Sequence, residues 1–234
     1  MRTFLLATAA LAAIGSPAAA ATRNFGITGF EKVRIEGPFA VRLTTGVAPF
    51  ASATGSASAI DRVAIDVRGN TLVVHSNLSS WGSYPGQQAG PVEINLGTHD
   101  LSAAWTSGSG ALSIDKVRGL SFDLSVQGSA TASVAQADVD QLSVAVVGTG
   151  SAKLGGRAGR LTAVVRGIAA LDAGDLAIKD ATIGAEGAAT ISANVSNSVK
   201  VDASGPATVR LTGGPACTLR TGGSASVTGC KSTQ

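Results

Sequence analysis

The chain contains few residues whose types and spacing could support chemistry. Its only histidines, His75 and His99, are far apart in the sequence, and neither has a carboxylate at a metal-ligand spacing. A zinc site needs three or four such ligands brought together. We therefore predict that both histidines are surface residues at strand ends rather than catalysts, and we predict no metal site and no cofactor.

Two pairs of aspartates are candidates for acid–base chemistry, Asp138 with Asp140 and Asp172 with Asp175. Glycoside cleavage usually needs two carboxyl groups about 5–10 Å apart. Aspartates that form turns explain both pairs at least as well, and neither pair lies beside an aromatic residue. The sequence therefore assigns no catalytic residue. A polysaccharide-active enzyme is the least favoured of the functional hypotheses.

Trp81 and Tyr84 are better candidates, for binding rather than catalysis. They lie in a long polar loop, residues 76–91, and exposed aromatic side chains contact both sugar rings and protein partners. The structural alternative is that Trp81 folds back and covers the first coil of the fold. The other tryptophan, Trp105, is predicted to belong to the packed start of the repeat region.

Cys217 and Cys230 are the only cysteines, and both lie in the last repeat described below. In an oxidising compartment a disulfide between them is expected, and it would staple the C-terminal end of the fold. The alternatives are two free thiols or a metal pair, although no histidine lies near them in the sequence.

A repeat positions these residues. Seven triplets of the form Gly-x-Gly or Gly-x-Ala follow one another at steps of 18 to 20 residues, and alternating apolar residues flank them. Period-two alternation predicts strands, and a unit this short must be one coil of a stacked structure. We therefore predict an all-β fold, a parallel β-helix of about 18–20-residue coils, with a triplet at a sharp corner of each coil. The first and third residues of the triplets are Gly108 and Gly110, Gly128 and Ala130, Gly148 and Gly150, Gly167 and Ala169, Gly187 and Ala189, Gly205 and Ala207, and Gly223 and Ala225.

The first twenty residues are predicted to be a signal peptide. Arg2 precedes a short apolar run that is too short to span a bilayer, and small residues predict cleavage near Ala20 or Ala21. Residues 21–234 are then expected to form one exported domain, periplasmic or at the cell surface, with a strand-rich part at 21–100 and seven repeats at 101–231. The net charge of +3 indicates neither a nucleic acid nor an anionic membrane as partner.

Three segments in this order resemble one family: VRIEGPFAVRLTTG (Val33–Gly46), DVRGNTLVVHS (Asp66–Ser76) and PVEINLGTHDLSAAWTSGSGALSI (Pro91–Ile114). Together with the later triplets they are similar to the putative auto-transporter adhesin head domain, the GIN domain. The resemblance covers about residues 28–230 and implies a right-handed parallel β-helix in an exported bacterial protein. It brings no general catalytic or ligand-binding motif.

The resulting hypothesis is a non-enzymatic binding or scaffold protein of the cell envelope that contacts a cell-surface glycan or an envelope protein. A self-assembling surface fibre, built by stacking coils end to end, is the alternative. The sequence does not indicate the oligomeric state.

Overall fold

The computed structural model describes residues 21–77 and 91–231, which form sixteen strands and one four-residue helix. The elements that precede the first triplet are short, because turns and loops interrupt their apolar alternation. They are β1 Ala21–Phe25, β2 Lys32–Glu36, β3 Ala40–Thr45, β4 Phe50–Gly55, α1 Ala57–Ile60, β5 Val63–Arg68, β6 Thr71–Ser76, β7 Glu93–Thr98 and β8 Ala103–Gly108.

The repeats form much longer strands, each of which runs around a coil from one corner to the next. They are β9 Ala111–Gly128, β10 Thr131–Gly148, β11 Ser151–Gly167, β12 Ala170–Glu186 and β13 Thr190–Ser204, followed by the shorter β14 Thr208–Thr212, β15 Ala216–Gly222 and β16 Ser226–Thr228. Each long strand pairs in parallel with the strands before and after it, one repeat away. The result is a β-solenoid of about six turns with coils of about 20 residues, which confirms the predicted fold class.

Each coil has three sides. The pre-corner side lies before the triplet, the post-corner side follows it, and the return side connects them. The return side is also strand, because most of its residues pair between coils, for example Asp138 with Arg157. Buried Val117, Val139 and Ile178 explain why, because each places an apolar side chain from the return side into the core.

The N-terminal strands belong to the same stack. β2 and β3 form one coil, since β2 pairs in parallel with β8 and β3 pairs in parallel with β9. Gly37 in the bend between them has a positive φ and lies directly against Gly108. The bend therefore belongs to the same column as the seven triplets. A hairpin extends this part of the sheet, with β5 antiparallel to β6.

The core is a continuous apolar column that the inward residues of all three sides line. The third residues of the triplets point into this column, and Ala130, Ala169 and Ala189 are at most 2% exposed. The first residues need glycine for a different reason. Gly148 has φ +114°, and a Cβ there would lie only 2.5 Å from the carbonyl oxygen of Gly128 in the coil above.

Two features join successive coils besides the backbone ladder. Lys153 Nζ lies 3.8 Å from Asp172 Oδ2, and Arg166 Nε lies 3.0 Å from Glu186 Oε2. These side chains are more than half exposed, so such ion pairs contribute well under 1 kcal/mol. The predicted disulfide is present between Cys217 and Cys230, 13 residues apart in the sequence, and it closes the last coil.

Candidate functional site

The candidate site lies on the outer surface of the pre-corner side, near the N-terminal end. There the strands follow the order β5, β6, β2, β8 and the second half of β9. Residues in register across these strands form a row of outward side chains. The row consists of Asp66, Val73, Arg34, Trp105 and Ser125.

Trp105 is the centre of this row. Trp105 lies in β8 at the start of the repeat region, as the sequence predicted, but its ring is on the outer face of the sheet rather than in the core. Its neighbours Ala104 and Thr106 are buried, so the alternation of the strand points Trp105 outward, where it is only half-buried. An amphipathic ring of this size on an outer sheet face is a candidate contact surface for a ligand.

Arg34 partly covers the ring. The carbon of its guanidinium group lies 6.0 Å from the centroid of the Trp105 ring, a cation–π arrangement. Arg34 Nη1 also lies 3.5 Å from Glu36 Oε1 on the same strand. The pairing of β2 with β8 joins residues 71 positions apart, and it brings Arg34 beside Trp105.

The hairpin of β5 and β6 forms the opposite wall of a groove of about 460 Å³, lined by Arg34, Glu36, Arg68, Thr71, Val73, His75 and Trp105. That volume lies within the range of small-molecule sites. His75 Nε2 lies 3.0 Å from Asp66 Oδ2, and its Nδ1 lies 3.1 Å from the carbonyl oxygen of Ser76. His75 is thus near a strand end, but it lines the groove.

One cation that lines the groove has no described partner. Glu36 faces Arg34, whereas the guanidinium group of Arg68 forms no hydrogen bond or ion pair with any residue that the structure describes. Arg68 lies at the tip of the hairpin, next to Gly69 with φ +62°. The groove therefore combines an aromatic ring with an unpaired cation.

The groove is open toward the following coils. Ser125 and Ala145 occupy the next two positions of the row after Trp105, and both side chains are small. A ligand longer than the groove could therefore extend along the solenoid axis over this surface.

Trp81 and Tyr84, the sequence-predicted contact residues, lie outside the described residues. Their loop starts just after Ser76, the residue that follows His75, and ends at β7. Residues 77–92 join the two sides of the solenoid that a sharp corner joins in the other coils. In the chain, this segment therefore follows directly on β6, which lines the groove, and connects the two sides on which β6 and β7 lie.

A second groove, of about 610 Å³, follows the post-corner side. Small side chains such as Ala111, Thr131 and Ser151 line its floor. It extends from the ion pair of Arg42 with Glu93, 2.8 Å apart, to that of Lys153 with Asp172. It has room for an elongated ligand, but none of its lining side chains is aromatic.

Each of the two aspartate pairs contains one carboxylate that accepts hydrogen bonds from neighbouring side chains or backbone. Two hydrogen bonds from Arg157, at 2.6 and 2.8 Å, hold the pKa of Asp138 below its usual value. The hydroxyl of Ser192 and the backbone N–H of Gly174 lower the pKa of Asp172 in the same way. One member of each pair is thus kept ionised.

Two further observations concern the described residues alone. Within 21–77 and 91–231, no three His, Cys, Asp or Glu side chains cluster in a way that could hold a metal ion. In the same ranges no helix is long and apolar enough to cross a membrane.

Comparisons with known proteins agree with this architecture. The family model described as "Putative auto-transporter adhesin, head GIN domain" matches residues 29–215. Among solved structures, a putative adhesin from Bacteroides fragilis has a TM-score of 0.80 and 18% identity, over 89% of this chain and 95% of that one. A putative lipid binding protein from Parabacteroides distasonis has a TM-score of 0.70 and 18% identity, with the same coverage of both chains. At these identities the likeness concerns the fold. The curated protein sequences contain no significant match.

Proposed function

Because the chain belongs to the putative auto-transporter adhesin head GIN domain family, we propose that it is an exported binding protein of the cell envelope with an adhesion-related role. Its ligand is a cell-surface glycan, which it holds in the groove at Trp105. The residues of this site bind and orient a ligand, and no catalytic step is assigned to them.

The observation that carries this proposal is the half-buried ring of Trp105 in an open groove beside Arg34. A sugar ring presents apolar C–H groups on one face and hydroxyl groups around its rim. The indole face takes the C–H groups, while Arg34, Glu36 and His75 exchange hydrogen bonds with the hydroxyls. An aromatic ring with charged and polar groups around it is the composition expected for such a ligand.

The charge of the groove favours an acidic glycan. Arg68 is the one charged side chain lining the groove that no described residue neutralises, and a guanidinium group binds carboxylate or sulfate through paired hydrogen bonds. A saccharide that carries a uronic acid would place its ring on Trp105 and its carboxylate at Arg68. Trp81 and Tyr84 complete the proposed contact, because their segment follows directly on β6, which lines the groove.

Two observations support export. The first twenty residues have the pattern of a signal peptide, and a disulfide such as Cys217–Cys230 persists in oxidising compartments. The experiment is protease treatment of intact cells followed by immunoblotting, with a known periplasmic protein as control. Loss of the band while the control protein survives supports a location on the cell surface. Protection, with release on osmotic shock, indicates the periplasm and contradicts contact with other cells.

Binding is tested by titrating the protein with uronic-acid oligosaccharides and with the same oligosaccharides after reduction of their carboxyl groups. A Trp81→Phe background leaves Trp105 as the only tryptophan, so its fluorescence reports on the groove. We expect the acidic ligand to change this fluorescence. Binding of the Trp105→Ala variant is measured by isothermal titration calorimetry, because the variant lacks this fluorophore. It should be about tenfold or more weaker than that of the parent, which corresponds to about 1.4 kcal/mol. A folded Trp105→Ala variant that binds like the parent contradicts the assignment of the groove.

The charge argument has its own matched control. Arg68→Gln should weaken binding of the acidic ligand alone, and the difference should shrink in high salt because mobile ions screen exposed charges. Arg220 faces outward in the same row of side chains, six coils away from Trp105. At about 4.8 Å per coil, this is a distance of about 29 Å. Arg220→Gln should therefore bind as the parent does. Equal effects of the two variants would show that net charge, rather than the groove, drives binding.

A further inference from the structure

A cluster of cations lies on the return side of the solenoid, where the coils turn out of the post-corner side. There β9, β10 and β11 border an open depression of about 330 Å³. Its volume is at the lower end of the range of small-molecule sites. The residues that line it are Lys116 and Arg118 of β9, Gln136, Ala137 and Asp138 of β10, and Gly156 and Arg157 of β11.

The depression lies where one coil is a residue shorter than the coil before it. The register between β10 and β11 shifts between Val134 and Ala137, so three steps along β10 match two steps along β11. The extra residue makes a bulge in β10, and bulges re-aim the side chains beside them. Gly155 and Gly156 lie opposite this bulge, and a Cβ at Gly156 would collide with the carbonyl oxygen of Ala137. The two glycines add no side chains, so this part of the surface stays open.

The bulge brings charged side chains of three strands together. Arg118, Asp138 and Arg157 are in register across β9, β10 and β11. Hydrogen bonds from Arg157, and then the charges of Arg157 and Arg118, hold the pKa of Asp138 below its usual value. Both guanidinium groups therefore lie near the same carboxylate.

Asp138 neutralises only one of the three cations that line the depression. Arg157 donates to it through Nε at 2.6 Å and Nη2 at 2.8 Å. The side chains of Lys116 and Arg118 form no hydrogen bond or ion pair with any residue in 21–77 and 91–231. Two positive charges therefore remain at the depression.

The neighbouring carboxylates are directed elsewhere, and none of them lines the depression. Asp115 accepts hydrogen bonds from the backbone N–H groups of Thr45 and Lys116. On the other side, Asp175 Oδ2 lies 3.4 Å from Lys153 Nζ. The depression is thus a small basic hollow with acidic residues only at its margins.

We propose that this hollow binds a phosphate or sulfate group, which Lys116, Arg118 and Arg157 hold together. A phosphate group carries about −1.5 to −2 charges near neutral pH and three strong acceptor oxygens. Guanidinium groups bind such oxygens through paired hydrogen bonds, and an ammonium group adds a compact positive charge. Two uncompensated charges and three donor groups match this ligand better than they match a single carboxylate.

Asp138 has two effects in this site. It orients Arg157 while the site is empty, and it repels an anion that enters. Removal of its charge should therefore strengthen binding, whereas removal of a cation should weaken it. The site lies on the return side, apart from the Trp105 groove on the pre-corner side, and it does not depend on the function proposed for that groove.

Titration of the protein with sodium sulfate and with glucose 6-phosphate, followed by NMR of the backbone amides, tests the proposal. Acetate and glucose are the controls, and sodium chloride keeps the ionic strength constant. We expect saturable shifts at the amides of Gln136, Gly156 and Arg157, and none at those of β14. Shifts that do not saturate, or that acetate reproduces at the same concentration, would overturn the proposal.

Three single variants test the assignment of the residues. Arg118→Gln should weaken binding about fivefold, the factor that corresponds to one exposed ion pair of about 1 kcal/mol. Arg210→Gln is the matched control, because Arg210 faces outward in β14 and forms no ion pair with a described residue. Asp138→Asn should strengthen binding. Equal weakening by Arg118→Gln and Arg210→Gln, or weaker binding of Asp138→Asn, would contradict this site.

The two probes distinguish the sources of the anion. Tighter binding of glucose 6-phosphate than of sulfate indicates an esterified group on an organic ligand, and equal binding indicates the free anion. Either result supports the site. Trp105→Ala should bind both probes as the parent does, so failure of the glycan proposal would leave this result unchanged.

Discussion

Reduction of the disulfide should loosen the last coil and leave the rest of the solenoid intact. Cys217 and Cys230 are 13 residues apart, so the bond closes a loop of about 14 residues. The loop-closure entropy of such a loop corresponds to about 3 kcal/mol. In a solenoid each coil contacts only its neighbours, so the disulfide stabilises mainly the last coil. Both sulfurs are half-buried against the core, so their packing contributes in the same direction.

The assay is hydrogen exchange followed by mass spectrometry, with and without reductant, on the parent and on a Cys217→Ala/Cys230→Ala variant. We expect amides of β15 and β16 to exchange about a hundredfold faster in both cases, since 1.4 kcal/mol corresponds to a factor of ten. Amides of β10 and β11 should not change and serve as the internal control. Unchanged exchange in β15 would refute the stapling role, and equal acceleration throughout would refute the local character of the stabilisation.

Two further predictions concern the corners and the pH dependence. Gly148→Ala should lower the free energy of unfolding by about 1–2 kcal/mol or more, because it puts a Cβ at positive φ against the Gly128 carbonyl. Ala169→Leu should overpack the core and lower the free energy of unfolding by about 1–3 kcal/mol. Gly184→Ala is the control, because its Cβ would make only ordinary contacts at 3.8 Å; equal thermal unfolding of the Gly148 and Gly184 variants would contradict the corner argument. Asp138 has a lowered pKa, so its ion pair stabilises the fold above the usual aspartate pKa of about 4, and that contribution is lost as the pH falls through the lowered value. Arg157→Gln should move the Asp138 carboxyl titration, followed by NMR, up toward the ordinary range, and an unchanged midpoint would exclude Arg157 as the cause.

The repeat itself could be predicted from the sequence because its causes are local. Alternation of apolar residues indicates strands, and a glycine at each sharp corner indicates the spacing of the coils. The strands β2 and β3 on either side of Gly37-Pro38 and the hairpin of β5 and β6 show the same local alternation. Cys217 and Cys230 could be paired because they are the only cysteines and belong to the same coil.

The candidate site could not be predicted in this way. Trp105 contacts Arg34 through a strand pairing that spans 71 residues, and no local pattern encodes it. The alternation within β8 could have indicated that the ring faces outward. Ala104 and Thr106 point inward and are buried, and Trp105 lies between them on the opposite face of the strand. Gly37 was not recognised as a member of the corner column because the hairpin and the long loop separate it from Gly108.

The position of the groove follows from the logic of a repeat. Coils stack well when each has the same backbone path as the coil before it. From Gly128 onward, the described outward positions hold mostly small or single charged residues, which fit this regular stacking. Distinct side chains can accumulate only where this regular stacking is broken. Such a break lies at the N-terminal coils, where an inserted hairpin places Arg68 and His75 opposite Trp105 and where residues 77–92 connect the sides on which β6 and β7 lie. The regular coils then act as a rigid column that holds this irregular surface, and their length sets its distance from the C-terminal end.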